Sequence, residues 1–134
     1  MTLVLDSSAV VAILTEEPEA ESFVAAIKAA EHIAISAMTL FELSVVMLRR
    51  RGPGGVQDVR DLLEAAGARI IPFDGRTAEA ATTAYARLGK GIHSGARLNL
   101  GDCAAYALAR QLDAPLLFKG QDFSATDVQA ALSP

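Results

Sequence analysis

Short apolar runs alternate along the chain with longer stretches in which apolar residues recur at helical spacing. Residues 2–5 are apolar without alternation, which is typical of a strand buried on both faces of a parallel sheet. Further short runs predict strands at residues 33–36, 69–73 and 115–118. Because helical stretches separate these strands, the pattern predicts helical crossovers and a mainly parallel sheet.

Caps and breakers divide the helical stretches into separate elements. Residues 52–55, with the sequence Gly-Pro-Gly-Gly, interrupt one stretch, and Gly67 ends the next. A glycine-punctuated loop is expected at residues 90–100. The fold class that follows is a three-layer α/β/α sandwich with a short, mainly parallel sheet. The predicted helices cover residues 7–14, 18 to about 30, 37–51, 56–66, 77–88, 101–112 and 126–132.

The bulk composition fits one domain over residues 1–134. A chain of this length with 51 % apolar residues can bury a core, and no apolar run approaches the roughly 18 residues that span a bilayer. The start of the chain is strand-like and lacks the basic segment and cleavage site of a leader. The single cysteine allows no internal disulfide, so we expect a cytoplasmic protein with no membrane partner.

The charge balance argues against bulk electrostatic binding to nucleic acid, since the net charge is −4 and the chain is acidic. Basic residues are nevertheless clustered. Residues 49–51 are three consecutive arginines, and Lys90, His93 and Arg97 lie in a stretch without acids, residues 88–101. These three are candidate contacts for a phosphate backbone. The arginine run could equally be an ordinary solvated surface.

Four acids stand where a carboxylate is unfavourable for folding but suited to a divalent cation. Asp6 ends the first apolar run and Asp122 follows the last, at the strand ends where open α/β sheets bind ligands. Asp102 opens a helix, and Glu42 interrupts the apolar stretch 38–48. Converging like charges are unfavourable unless a cation neutralises them. We therefore expect these four residues, the acidic quartet, to form a metal site.

Members of the acidic quartet also have structural interpretations. Asp6 could cap the following helix, although the adjacent Ser7 or Ser8 could do so as well. Ser7, with Ser8 beside it, could instead orient Asp6 or a metal-bound water. Asp122 could be a turn residue. Asp127 is kept as a weaker fifth acid that could also cap the last helix.

The two helical acids have competing interpretations of the same kind. Glu42 completes a capping-box pattern, but Ser36 is an equally good cap and would leave Glu42 among apolar neighbours at a cost. Asp102 could simply complement the helix dipole. Asn99 can cap that helix in its place or orient a water, and Gly101 lets another group approach the backbone closely.

The chemistry that suits a carboxylate ligand set is that of Mg²⁺ or Mn²⁺ rather than zinc. Such an ion can orient a water, lower its pKa and stabilise the leaving oxygen of an in-line phosphoryl displacement. His32 and His93 lack zinc-ligand spacing, and neither phosphate-binding glycine motif occurs. Cys103 is expected to pack within its helix rather than act as a nucleophile.

The order and setting of these motifs resemble a known family. Residues 6–8 (Asp-Ser-Ser) follow the first strand and Glu42 lies in the third helix. The segments 98–103 (Leu-Asn-Leu-Gly-Asp-Cys) and 117–123 (Leu-Phe-Lys-Gly-Gln-Asp-Phe) come next. Over essentially its whole length the chain resembles the PIN-domain ribonucleases, specifically the VapC-type toxins of bacterial toxin–antitoxin systems. One departure is Gln121, where many relatives carry Asn.

The resemblance implies a Mg²⁺-dependent endoribonuclease, with Mn²⁺ as an alternative ion, that hydrolyses RNA and inhibits translation. It also implies a homodimer and a cognate antitoxin that holds the toxin inactive. All four members of the acidic quartet would be catalytic. Asp6 and Asp102 would bind the metal directly, while Glu42 and Asp122 would complete the site through water or a second ion.

Two other functions remain open from the sequence. A phosphoacceptor receiver domain would use Asp6, Asp74 and Lys119 at strand ends, but it leaves Glu42 and Asp102 unexplained. A PIN fold that has lost catalysis and only binds a partner is the second alternative, although it would not need all four acids.

Overall fold

Parallel strands form the central sheet of this computed structural model, which describes residues 1–89, 91 and 97–132. Within those residues the strands lie in the spatial order third, second, first, fourth. The first pairs with the second and with the fourth, and the second pairs with the third, all in parallel. All the predicted strands are present. They are β1 (Thr2–Leu5), β2 (His32–Ser36), β3 (Arg69–Ile71) and β4 (Leu116–Leu117).

Helices cover both faces of this sheet. Along β1, Leu3 and Leu5 pack into one hydrophobic cluster while Val4 packs into the other, because alternate residues of a strand point to opposite faces. The first four helices cover one face and the last two cover the other, so the predicted three-layer α/β/α sandwich is confirmed. They are α1 (Ser7–Leu14), α2 (Ala20–Ala29), α3 (Ala37–Arg51), α4 (Pro53–Ala65), α5 (Gly75–Leu88) and α6 (Leu100–Gln111).

The boundary between α3 and α4 is tighter than expected. Gly52 ends α3 with φ +68°, a conformation that glycine adopts readily. The next helix begins at Pro53 rather than at residue 56, because proline suits the first helical position, where its missing N–H has no partner to lose. None of the helices in the described residues has the length and hydropathy needed to cross a bilayer.

The predicted helix at residues 126–132 is wrong. This segment lies beside β4, where Leu116 N donates to the carbonyl oxygen of Gln129 at 2.8 Å and Ala131 N donates to that of Leu116 at 2.9 Å. The other side of β4 pairs with β1, so the segment satisfies backbone groups that would be unpaired at a sheet edge. The organisation of residues 1–134 as one domain stays a prediction.

The chain connections lie on opposite faces of the sheet at the neighbouring strands β1 and β4. The chain leaves β1 through helices on one face of the sheet and reaches β4 from α6 on the other face. A crevice outside the carboxyl ends of such strands is the usual ligand position in open α/β sheets. Asp6 follows β1 and Asp122 lies in the loop beyond β4, so both belong to this edge.

Candidate active site

Asp6 is buried at the end of β1, with only 2 % of its surface exposed. It caps α1, because its Oδ2 accepts hydrogen bonds from Ser8 N at 3.0 Å and from Ser8 Oγ at 2.5 Å. The structural interpretation is therefore right for one of its oxygens, and neither serine is the cap. Its Oδ1 is buried and has no hydrogen-bond partner among the described residues. An oxygen in that state is costly unless something else pairs with it.

The pKa of Asp6 is raised from 3.8 to about 6. Burial is the largest cause, since it penalises the charged form, and the nearby charge of Glu42 adds to it. The hydrogen bonds from Ser8 act in the opposite direction and stabilise the carboxylate. Asp6 is thus an acid that a cation would readily keep ionised.

Glu42 reaches the site from the second turn of α3. Ser36 caps this helix by accepting a hydrogen bond from Met38 N at 3.2 Å, so the capping-box interpretation of Glu42 is wrong. The side chain of Glu42 is half-buried, and its Oε1 accepts a hydrogen bond from Ser7 Oγ at 2.9 Å. The carboxylate also lies directly against Gly101 on α6. Ser7 thus holds Glu42, while Ser8 holds Asp6.

Asp102 is the third residue of α6 and forms a reciprocal capping box with Asn99. Asn99 N donates to Asp102 Oδ2 at 3.1 Å, and Asp102 N donates to Asn99 Oδ1 at 2.8 Å. The pKa of Asp102 is raised from 3.8 to about 7. Burial is the largest cause, and the nearby charges of Asp6, Asp122 and Glu42 act in the same direction. The structure therefore brings the acidic quartet together closely enough for its members to act on Asp102 electrostatically.

The members of the acidic quartet differ in burial. Asp122 is exposed, whereas Asp6 and Asp102 are buried. The described residues contain no group of three acidic, histidine or cysteine side chains already arranged around one ion position. Carboxylate oxygens are the donors that a hard cation such as Mg²⁺ prefers, and Mg²⁺ is commonly bound through only one or two carboxylates while it keeps several of its waters.

The other candidate residues differ in position, and two of them lie outside the described part of the chain. Asn99 uses its side-chain oxygen to cap α6, so it orients Asp102 rather than showing a free amide oxygen to solvent. Arg97 is exposed just before that helix. Lys90 and His93 lie outside the described residues. Arg51 has a structural contact, since its Nη2 donates to the carbonyl oxygen of Leu14 at 2.9 Å.

Comparison with known proteins identifies the family. The family model described as "PIN domain" matches residues 3–129, which is nearly the whole chain. The chain belongs to the PIN-domain family. It is also 42 % identical over 128 residues to a Ribonuclease VapC of Mycolicibacterium smegmatis, covering 96 % of this chain and 98 % of the relative. Ribonuclease VapC30 of Mycobacterium tuberculosis is 41 % identical over 133 residues, covering 98 % and 100 %. The resemblance to the VapC ribonucleases is confirmed.

Solved structures show the same fold at lower sequence identity. The crystal structure of Mycobacterium tuberculosis VapC20, described as a sarcin–ricin loop cleaving toxin, has a TM-score of 0.78 at 17 % identity. The match covers 98 % of this chain and 99 % of that protein. FitAcB from Neisseria gonorrhoeae has a TM-score of 0.66 at 24 % identity and covers 96 % and 95 %. At these identities the likeness concerns the fold alone.

Three further polar residues of this PIN-domain chain have structural roles outside the acidic quartet. Asp127 accepts a hydrogen bond from the hydroxyl group of Tyr106, and its Oδ2 lies 3.7 Å from Nη2 of Arg110. These contacts connect the C-terminal segment to α6, so Asp127 is neither a helix cap nor a fifth acid of the site. Cys103 is buried, and burial raises its pKa to about 11, which makes it a poor nucleophile. Lys119 N donates to Ser8 Oγ at 3.0 Å.

Sequence reasoning did not separate the two serines. Ser8 accepts from the backbone of the β4 loop and donates to Asp6, which makes it the link between the two strand ends. Ser7, one residue earlier, donates to Glu42 instead. The spacing of a capping acid and the residue two positions later is the signal that could have assigned Ser8 to Asp6.

Proposed function

We propose that this PIN-domain protein is the toxin of a toxin–antitoxin system, a metal-dependent endoribonuclease that hydrolyses phosphodiester bonds of RNA. Its similarity to the VapC ribonucleases over nearly its whole length supports the nuclease activity. Mg²⁺ is the proposed cofactor, with Mn²⁺ as the alternative. One observation carries the metal dependence: Asp6 is buried with its Oδ1 unpartnered among the described residues, beside other acids that raise the pKa of Asp102.

The residues present fit a hard divalent cation. The carboxylate oxygens of Asp6 and Asp102 would hold it, and Glu42 and Asp122 would complete the acidic site. Mg²⁺, when bound, supplies charge stabilisation to the phosphoryl group and lowers the pKa of water. Oxygen donors of this kind favour Mg²⁺ or Mn²⁺ over softer metals.

The side chains around the ion position have distinct proposed tasks. Ser8 occupies Oδ2 of Asp6 with two hydrogen bonds, so Oδ1 remains available as a ligand. Ser7 donates a hydrogen bond to Oε1 of Glu42, which fixes the direction of this carboxylate beside Gly101. Asn99 fixes Asp102 through its backbone amide. These contacts give Asp6, Glu42 and Asp102 a defined geometry before RNA binds.

RNA binding is assigned to the basic residues that precede α6 in the sequence. We place Lys90, His93 and Arg97 against RNA phosphates, because they come directly before α6, which carries Asp102. Arg97 is exposed, as a phosphate contact must be in the free protein. Neutralising phosphates close to an acidic centre offsets the repulsion between RNA and the chain's net charge of −4.

Two protein partners are proposed, a second copy of the chain and a cognate antitoxin. An apolar stripe on α3, formed by Phe41, Val45 and Leu48, is exposed to 64 %, 38 % and 47 %, and a homodimer would bury it. The antitoxin is supported by structural neighbours that include a toxin–antitoxin complex from Klebsiella pneumoniae and VapBC2 from Rickettsia felis. With an RNA substrate and such a partner, the proposed location of the protein is the cytoplasm.

The receiver-domain alternative has little support. Lys119 Nζ lies 2.9 Å from Glu17 and 3.2 Å from Glu19, so its charge is already engaged. Asp74 caps α5 by accepting hydrogen bonds from Thr77. Neither residue is therefore arranged for a phosphoacceptor role beside Asp6. The catalytically inactive PIN fold is left as the alternative that an activity measurement must exclude.

Mapping RNA ends after a brief pulse of expression tests the proposed function. New 5′ ends should appear at defined positions within minutes, and they should be absent when Asp6→Asn is expressed at the same level. Co-expression of the neighbouring antitoxin gene should suppress them. A wild-type pulse that produces no new RNA ends would support the inactive alternative and reject the nuclease.

A further inference from the structure

The backbone conformation at Gly101 does not require a glycine. It is the second residue of α6, and its φ lies outside the left-handed region that favours glycine. Alanine stabilises helices better than glycine, so local folding alone would favour a side chain there. Gly101 is also buried, which points to packing as the reason for the glycine.

The three heavy atoms nearest to the space beside Gly101 belong to the carboxylate of Glu42. A Cβ placed on Gly101 would lie 2.1 Å from Oε2, 2.4 Å from Oε1 and 2.4 Å from Cδ of that side chain. Nonbonded carbon atoms pack favourably only at about 3.5–4.0 Å, so the carboxylate and a methyl group cannot share this space. The nearest atoms form the end of a flexible side chain, so the carboxylate would move while the helix stays in place.

The Glu42 carboxylate is therefore held from two sides. On one side, Ser7 on α1 donates a hydrogen bond to Oε1 at 2.9 Å. On the other side, Gly101 at the start of α6 has no side chain, and the carboxylate occupies the space that a Cβ would fill. Asp102 is the next residue of the same helix turn. A shift of Glu42 would therefore change its position relative to Asp102 without disturbing the fold.

We infer that Gly101 is a positioning residue for the reaction, because the absence of a side chain there seats the Glu42 carboxylate in the acidic quartet. This inference rests on the proposed function, since it names the contact that keeps one of the proposed catalytic acids in place. Gly101 acts only through Glu42 and does not touch the reacting atoms.

Two glycine-to-alanine variants separate this role from a general effect on helix stability. Gly54 is the second residue of α4, the same helix position that Gly101 has in α6. In the part of the chain that the structure describes, a Cβ on Gly54 would meet no heavy atom within 4 Å. Gly54→Ala is thus a matched control that makes the same chemical change without the collision.

The probe is Mg²⁺ or Mn²⁺ alone, followed by the thermal stabilisation of the protein over a range of metal concentrations. Wild type and Gly54→Ala should reach half-maximal stabilisation at the same concentration. Gly101→Ala should need about 10- to 100-fold more metal, the usual effect of disturbing groups that orient metal ligands. RNA cleavage should fall in the same variant. A Gly101→Ala protein with the metal response of the wild type would overturn the inference.

A second comparison covers the case in which Gly101→Ala does not fold. In the Glu42→Ala background the colliding carboxylate is absent, so adding Gly101→Ala should not lower the urea midpoint of the metal-free protein. A further loss of stability there would contradict the contact. If the wild type itself shows neither a metal response nor cleavage, the proposed function fails and this inference with it. A responsive wild type beside an equally responsive Gly101→Ala rejects the positioning role alone.

Discussion

Replacing Asp102 by asparagine removes one buried negative charge and keeps nearly the same shape. Asparagine can still accept the hydrogen bond that Asn99 N donates to Asp102 at 3.1 Å. The substitution therefore separates two readings of the acidic quartet. If the four acids form a metal site, the metal-free variant should be more stable than the wild type. If Asp102 only supports the start of α6, the variant should be less stable.

The magnitude follows from the pKa of Asp102, which burial and the other three acids raise from 3.8 to about 7. Keeping this carboxylate ionised at pH 7 costs the folded protein on the order of 4 kcal/mol relative to the unfolded chain. The opposing loss, a negative charge in the first turn of α6, is about 0.3–1 kcal/mol. Relief of the buried charge is the larger effect, so Asp102→Asn should gain at least about 1 kcal/mol at pH 7 without metal.

The pH dependence has a definite sign. From about pH 4 to pH 7 the unfolded chain has released the Asp102 proton while the folded protein retains it, so stability falls as the pH rises through this window. The stability gained from the tighter hold of the folded protein on the Asp102 proton is fully present below pH 3.8 and fully lost above about pH 7. The variant lacks this proton, so its stability should change less with pH. Some dependence should remain, because burial also raises the pKa of Asp6 to about 6.

Urea unfolding of both proteins, in EDTA and in Mg²⁺ at several pH values, measures these effects. Mg²⁺ should stabilise the wild type more than the variant, since binding to the folded state is linked to stability. Cleavage by Asp102→Asn should fall by orders of magnitude. Asp74→Asn is the control, because Asp74 caps α5 outside the acidic quartet and should leave both responses unchanged. A variant that is less stable in EDTA at pH 7, yet fully active, would refute the reasoning.

Three further predictions concern RNA contacts, assembly and the link between the strand ends. Lys90→Ala with Arg97→Ala should reduce the slope of log binding constant against log salt concentration by about one unit per lost phosphate contact, while metal affinity stays unchanged. An unchanged slope in a binding titration would count against this role. Sedimentation should show a dimer at micromolar concentration that Phe41→Asp with Leu48→Asp converts to monomer, whereas a wild-type monomer contradicts it. Ser8→Ala should lower the free energy of unfolding by about 1–3 kcal/mol, because two neighbouring polar groups lose a partner, and an unaltered urea midpoint would argue that those contacts contribute little.

Local signals explain the parts of the fold that the sequence predicts well. The bounds of α3 at residues 37–51 are as predicted, because Ser36 supplies the cap and Gly52 the positive φ that ends the helix. The C-terminal segment was predicted wrongly because its partner is β4, and pairing with a distant strand leaves no periodic signal in the segment itself. Propensity is a weak guide where backbone groups find long-range partners.

The same difference between local signals and long-range contacts applies to the candidate site. Strand-end position and helical setting were enough to select Asp6, Glu42 and Asp102, because both signals are local. The lack of a partner for Oδ1 of Asp6 among the described residues is not accessible from the sequence, since it depends on which groups the fold brings around this oxygen. The contact between Glu42 and Gly101 joins residues far apart in the chain, and the sequence indicated only that some group could approach this glycine.

RNA cleavage by protein stripped of metal with EDTA and then titrated with Mg²⁺ tests directly whether the acidic quartet is a metal-dependent active site. Wild-type protein should be inactive after stripping and should regain cleavage as Mg²⁺ is added. Asp6→Asn should remain inactive at every concentration, although it folds. Cleavage that persists in EDTA, or an Asp6→Asn protein that is as active as the wild type, would contradict the assignment of the acidic quartet as a metal-dependent active site.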